Sequence, residues 1–268
     1  MNETELLFTE ILNCNRLSLY LNRDLKLNKE KSYLISRALK RRILGEPIHY
    51  ILGKVEFMGL EFKITKDVFI PRPETEVLVE TVIKYVHGTR YPLAGTNILD
   101  IGTGSGCIAV SLAKLLPDAQ LTATDISQKA IEVARYNAVL NKVAEKIRFI
   151  ESNLFARYTV QRRRYDIIVS NPPYIPTEEI KNLQPEVQYE PRIALDAGGD
   201  GLVFYRRIVG DSHHYLKDGG YLIMEIGYNQ RAAIEEILQK EKKIRVIEAV
   251  KDYNNIDRVI VAQKHYKG

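Results

Sequence analysis

The sequence predicts an α/β protein: an open, doubly wound, mostly parallel sheet behind a small helical N-terminal domain. Three observations predict it. From residue 97 onward, short apolar runs alternate with helical stretches, the pattern of strand–helix–strand units. A glycine-rich loop, Gly102-Thr103-Gly104-Ser105-Gly106, directly follows the first of those runs. Residues 4–46 carry helical rather than alternating periodicity.

The elements follow in order. Leu6, Leu7, Ile11 and Leu12 form one apolar stripe, and Leu34, Ile35, Ala38, Leu39 and Ile43 continue it in a later helix. Gly45 and Pro47 stop that helix. Lys40, Arg41 and Arg42 read as a solvated helix face. Val55-Glu56-Phe57 and Leu60-Glu61-Phe62-Lys63-Ile64 alternate around Met58-Gly59, a β-hairpin signal. Ile70-Pro71-Arg72-Pro73-Glu74-Thr75-Glu76 stiffens the entry to a helix ending near Val86. Strands are expected at 97–101, 121–125, 147–150, 167–169 and 221–225, with an antiparallel pair at 244–250 and 257–262. Helices are expected at 107–116, from Ser127 to about 141, at 201–216 and at 230–240. The organisation is a substrate-recognition unit over 1–69, with the hairpin as its linker, and a larger unit over 70–268.

Composition narrows the function classes. Of 268 residues, 45% are apolar and 27% charged, an ordinary globular balance. A net charge of +5 permits an acidic partner without demanding nucleic acid. Cys14 and Cys107 are too few and too far apart for a disulfide framework or a zinc site. The polar, acidic start is no signal peptide, and no run is apolar enough to span a membrane. A soluble, cytoplasmic protein without a metal is the expectation. His213-His214 reads as a solvated pair on a helix.

The chemistry concentrates in two motifs. The glycine loop departs from the dinucleotide fingerprint, because Cys107 occupies its last position, and no Gly-Lys-Ser/Thr follows to make a P-loop. Asp125 ends the next strand, about 20 residues on, where an acid binds ribose hydroxyls. A ribose acid without phosphate features suggests a nucleoside such as S-adenosylmethionine. In Ser152-Asn153-Leu154-Phe155, Asn153 is a candidate for the adenine amine and Leu154 for its face.

The second motif is Asn171-Pro172-Pro173-Tyr174, which ends an apolar strand. Consecutive prolines cannot continue a ladder, and Asn171 is held extended before Pro172. The Asn171 side-chain oxygen and a carbonyl beside Pro172 are acceptors suited to a planar NH₂ group, on which Tyr174 can stack.

Together these residues resemble the bacterial release-factor glutamine methyltransferases, the PrmC/HemK family. The matching stretches include Tyr50 to Gly53, Phe57 to Phe62, Ile70 to Glu76, Asp100 to Gly106, Ser170 to Tyr174, Tyr189-Glu190-Pro191-Arg192, Asp200 to Leu202 and Glu225 to Gly227. The resemblance implies a Rossmann-like, seven-stranded class I methyltransferase sheet and methylation of the glutamine amide in the Gly-Gly-Gln motif of class 1 peptide chain release factors. It implies cofactor contacts from Gly102, Thr103, Gly104, Ser105, Gly106, Asp125, Asn153, Leu154 and Asn171. Catalysis falls to Asn171, Pro172 and Tyr174, and substrate contacts to these with Pro173, Arg72 and Glu190. Asn153 stands where the family usually has Asp. The competing enzyme reading is a nucleic-acid amine methyltransferase, which shares Asn-Pro-Pro-Tyr; Arg162-Arg163-Arg164 is its best support. A non-catalytic cofactor-binding module is the third reading.

Overall fold

The computed structural model describes residues 2–21, 26–88, 95–156 and 164–266. Its N-terminal part holds α1 (Glu3–Leu12), α2 (Arg16–Leu21), α3 (Lys29–Ile43) and α4 (Ile48–Leu52). A capping box starts α1: Asn2 Oδ1 accepts from the Glu5 N–H at 2.8 Å, and the Glu5 carboxylate accepts from the Asn2 N–H. At α3 the cap is one-way: Asn28 Oδ1 accepts from the Lys31 N–H at 2.8 Å. Leu7, Leu12, Ile35, Ala38 and Ile48 bury their side chains together as a small separate core. Helix α4 was not anticipated; Pro47 opens it and Gly53, at φ +75°, closes it.

The hairpin falls where its alternation puts it, as β1 (Lys54–Phe57) and β2 (Leu60–Lys63). Met58 and Gly59 both have positive φ, as a tight two-residue turn needs. Its packing differs from expectation. Val55, Phe57 and Phe62 join the main core beside the sheet, not the helical cluster. Asn137 pins the hairpin: its Oδ1 accepts from the Lys63 N–H at 2.7 Å and its Nδ2 donates to the Lys63 carbonyl at 3.0 Å. Glu76 Oε1 accepts from the Met58 N–H at 2.6 Å. By packing, the hairpin therefore belongs with the sheet, and the break between cores lies near residue 50 rather than after 69.

A 3-10 turn at Pro73–Thr75 leads into α5 (Glu76–Gly88). There follow β3 (Asn97–Ile101), α6 (Cys107–Leu115), β4 (Gln120–Asp125), α7 (Gln128–Leu140), β5 (Ile147–Glu151), β6 (Tyr165–Ser170), α8 (Pro185–Gln188), α9 (Val203–Tyr215), β7 (Leu216–Glu225), α10 (Arg231–Lys240), β8 (Ile244–Lys251) and β9 (Asp257–Lys264). The seven main strands lie in the order β5-β4-β3-β6-β7-β9-β8, the first five parallel and β9 antiparallel to both neighbours. Side chains alternate across the sheet: Ile98, Ile167 and Val169 face α5, α6 and α7, while Leu99, Ile101 and Ile168 face α9 and α10.

Chain order reverses at β3, which pairs with β4 on one side and β6 on the other. The carboxyl ends of β3 and β6 are thus neighbours, and a crevice opens beyond a switch point of this kind. Two smaller differences concern the second half. Residues 175–200, given no element by the sequence, form short helical turns and one bridge, Ile175 to Asp196. His213 is buried rather than solvated: its Nε2 lies 2.9 Å from Lys243 Nζ, its ring lies tilted against that of His214, and burial pushes its pKa down. No helix among the described residues is long and apolar enough to cross a membrane.

Candidate active site

A cavity of about 410 Å³ opens at the switch point. Its walls include Gly102, Thr103, Gly104, Ser105, Asp125, Asn153, Leu154, Asn171, Pro172, Pro173, Tyr174 and Arg72. Residues spread from 72 to 174 in the chain are gathered there because β3, β4, β5 and β6 all end at the same sheet edge.

The glycine loop is held open from behind. The Gly102 and Thr103 N–H groups both donate to the Thr124 carbonyl at 2.8 Å. Asp125 anchors the loop: Oδ2 accepts from the Gly104 N–H and Oδ1 from the Ser127 N–H, each at 2.9 Å. Burial raises the Asp125 pKa, and those N–H groups oppose the rise. Gly102 and Gly104 have positive φ, and a Cβ on either would meet no atom within 4 Å. Gly106 is different. It starts α6 at φ +83°, and its missing Cβ leaves room for Ala134 of α7. It stands behind the cavity wall, so of the five predicted loop residues it is the one whose glycine serves helix packing.

Asp100 lies deeper. Thr103 Oγ1 donates to its Oδ2 at 2.6 Å, and its Oδ1 has no partner among the described residues. Burial, with the nearby Asp125 charge, pushes its pKa up to about 7. Asn153 is exposed, and its Oδ1 accepts from Arg207 Nη2 at 2.9 Å. Leu154, at φ +53°, turns the chain beside it.

On the facing side, Asn171 Nδ2 donates to Thr75 Oγ1 at 3.2 Å. Behind both is Glu225, the last residue of β7, at 1% exposure. The Tyr174 carbonyl accepts from Gln230 Nε2 at 2.9 Å, and a Cβ on Gly201 would strike that carbonyl at 2.7 Å. The 200–202 and 225–227 stretches thus shape the Asn-Pro-Pro-Tyr turn from outside. Burial, then the Glu225 charge, pushes the Tyr174 hydroxyl up to about 12, so it stays a neutral donor.

Glu190 does not line the cavity. Its buried carboxylate accepts from the Ile70 N–H at 3.0 Å and pairs with Arg72, which is stacked over Phe69. It therefore brackets Arg72 and touches no space open to a substrate. Sequence reasoning missed Thr75, Glu225 and Gln230 as parts of this site. An acid ending the apolar run Tyr221-Leu222-Ile223-Met224 was the available signal for Glu225. Arg162 and Arg163 lie outside the described residues.

A seven-stranded sheet of this order, with a glycine loop, a strand-end acid and Asn-Pro-Pro-Tyr around one cavity, defines a class I methyltransferase. Comparison with known proteins agrees. Residues 73–204 match the methyltransferase small domain, and residues 1–53 match the PrmC N-terminal domain. A release factor glutamine methyltransferase of Fusobacterium nucleatum subsp. nucleatum is 45% identical over 99% of this chain and 73% of its own. One from Geobacter sulfurreducens is 44% identical over 96% of this chain and 87% of its own. Among solved structures, a methyltransferase from Pyrococcus furiosus superposes with a TM-score of 0.57 at 18% identity, over 86% of this chain and 99% of that one, a likeness of fold alone. The chain belongs to the release factor glutamine methyltransferase family.

Proposed function

We propose that this protein transfers a methyl group from S-adenosylmethionine to the side-chain amide nitrogen of the glutamine in the Gly-Gly-Gln motif of class 1 peptide chain release factors, in the cytoplasm. The carrying observation is the cavity itself, with the cofactor-type loop on one wall and the Asn171 amide on the other.

The residues fit the cofactor. The acids at the loop are Asp100 and Asp125, while Arg72 and Arg207 are engaged by Glu190 and Asn153. A cationic nucleoside without phosphates suits that set. Its ribose would meet Asp125 and its base Asn153 and Leu154, while Asp100, buried beneath the loop, holds Thr103 in place. When bound, S-adenosylmethionine supplies a methyl group on a sulfonium sulfur.

The protein's task is to present a poor nucleophile. An amide nitrogen has a delocalised lone pair, so its orientation matters, with reacting atoms roughly 3–3.5 Å apart. Asn171 Nδ2 is committed to Thr75, which leaves Oδ1 as the free acceptor. With the Pro172 carbonyl it accepts both N–H groups of the glutamine amide. These bonds hold the nitrogen in place and strengthen as positive charge develops on it. Tyr174 packs on the flat amide. A substrate glutamate meets two acceptors with no donor of its own, and such sites reject a mismatched analogue by about 10⁴-fold. The helical N-terminal elements and the segment around Tyr189 hold the body of the release factor.

The test uses labelled S-adenosylmethionine, purified release factors, a Gly-Gly-Gln peptide and nucleic acid. The expected order is intact release factor well above peptide, with a Gln→Glu release factor near background. Mass spectrometry should find one methyl on that glutamine. Labelled DNA or RNA beside an unmodified release factor would overturn the proposal in favour of an amine methyltransferase of nucleic acid.

A further inference from the structure

Asn171 works as described only while its oxygen faces the cavity. Asparagine is nearly symmetric in shape, so packing alone does not choose between its oxygen and its NH₂. Something behind it must make the choice. Thr75 is not enough, because a hydroxyl both donates and accepts, and would satisfy either orientation.

The residue behind them is Glu225. Its carboxyl group is almost fully buried, and the β6–β7 register, which pairs Ser170 with Met224, sets Glu225 beside Asn171; the Thr75 and Asn171 side chains both act to hold its pKa down. Its Oε2 has no hydrogen-bond partner among the described residues. Arg258, whose charge acts on it, is engaged elsewhere: its Nε and Nη2 donate to Asp252 Oδ2 at 3.1 Å, and its Nη1 reaches the Ile226 carbonyl. Other titratable groups that the Glu225 charge reaches are Glu74 before α5, Tyr174 after β6, Tyr205 on α9 and Cys107 on α6. Tyr205 donates its hydroxyl to the Glu225 backbone carbonyl, not to the carboxylate.

We propose that Glu225 is a positioning residue, whose carboxylate orients the Thr75 hydroxyl and the Asn171 amide so that Asn171 turns its nitrogen inward and its oxygen to the substrate. The chemistry is that of an acceptor-only group. A carboxylate takes donors from every side, so Thr75 must point its hydrogen at Glu225 and leave its lone pair for Asn171 Nδ2. Protonation reverses the polarity. A carboxylic acid donates, Thr75 is freed to turn, and Asn171 can rotate its NH₂ into the cavity. Two donors would then face the substrate N–H groups.

This switch falls in an accessible range. Burial raises the Glu225 pKa to about 7, with Glu74 adding to the rise, while Thr75, Arg258 and Asn171 oppose it. The productive orientation is therefore present above that value and lost as pH falls through it. The inference rests on the proposed glutamine substrate for its kinetic consequence but not for its structural one.

The test has two arms on the full-length protein. In the first, the Asn171 side-chain NH₂ resonances, assigned by their loss in Asn171→Asp, are followed by NMR from about pH 6 to about pH 8 without substrate. They should titrate in the wild type and stay flat in Glu225→Gln. In the second, release-factor methylation is measured across the same range. Glu225→Gln should lower kcat roughly 10–100-fold, the loss expected from misaligned reactants. KM for the cofactor should be unchanged and the acidic limb of the pH profile absent. Asn171 resonances that do not shift in the wild type, or shift equally in the variant, overturn the proposal. So does a variant with wild-type kcat and an intact acidic limb. If Glu225→Gln fails to fold, the wild-type titration alone decides. If the wild type methylates no release factor, the functional reading fails while the NMR arm still judges Glu225.

Discussion

Replacing the two similar-looking glycines Gly106 and Gly104 by alanine should have different consequences, the first chiefly for stability and the second chiefly for cofactor binding. At Gly106 an added Cβ would lie 2.9 Å from Ala134 Cβ and 3.1 Å from Ala134 Cα. Neither atom can swing away, since both are fixed by the α7 backbone. The φ of +83° adds strain of about 1–2 kcal/mol for an L-residue. Overpacking a close contact adds about 1–3 kcal/mol, so Gly106→Ala should cost about 2–5 kcal/mol in all. At about 2–4 °C per kcal/mol for a chain of this size, Tm falls by about 4–20 °C. Gly104 has φ +56° but open space around the Cβ position, and it lines the cavity. Gly104→Ala should therefore lose only about 1–2 kcal/mol of stability. Its methyl group would instead intrude where the cofactor approaches the loop, and weaken cofactor binding. Urea unfolding and calorimetric titration of S-adenosylmethionine measure the two effects separately. Equal destabilisation by the two substitutions, or unchanged cofactor affinity in Gly104→Ala, would refute the division of labour between packing and binding.

Asp125→Ala should weaken S-adenosylmethionine binding by about 1.5–3 kcal/mol, the range for hydrogen bonds to a charged group, because it removes both the ribose acceptor and the anchor of Gly104; unchanged affinity by calorimetry would contradict this. Asn171→Ala should cut single-turnover methyl transfer strongly while leaving the fold intact, and near-wild-type transfer would exclude the amide grip. A chain beginning near Pro47 should fold and bind the cofactor but methylate the release factor poorly, whereas one beginning at Ile70 should not fold, since it lacks the buried Phe57 and Phe62; circular dichroism of both tests the core boundary. For Asp100 the folded pKa is raised to about 7, so its stabilising contribution is complete at low pH and is lost as pH rises from the ordinary carboxylate range through that value. Asp100→Asn should flatten that part of the stability–pH curve, and an unchanged difference in urea midpoint between acidic and mildly alkaline buffer would refute it.

The sequence by itself determined the elements and the motifs at their ends. Apolar alternation and helical periodicity are local, so β3, β4 and β6 with α6 and α7 could be located within a few residues, and the long β7 by its second half. Gly102 to Gly104, Asp125 and Asn171 to Tyr174 were legible because each sits at a strand end, where its chemistry departs from the apolar run before it. Only the tertiary structure decided what stands behind those motifs. Strand pattern says that β6 is buried but not that it lies beside β3, and that register carries Asn171 to the glycine loop. Glu190 and Arg72 are neighbours in space and 118 residues apart in sequence, so nothing local told that the acid braces the arginine rather than the substrate. The hairpin's alternation fixed its strands but not which core would take Phe57 and Phe62. Gly106 looked like its loop neighbours until Ala134 was found against it. Glu225 became part of the site through β7 lying next to β6. Burial and hydrogen-bond partners are long-range properties: a residue's own neighbours in sequence set its backbone, and the residues that meet it across the fold set its charge and its role.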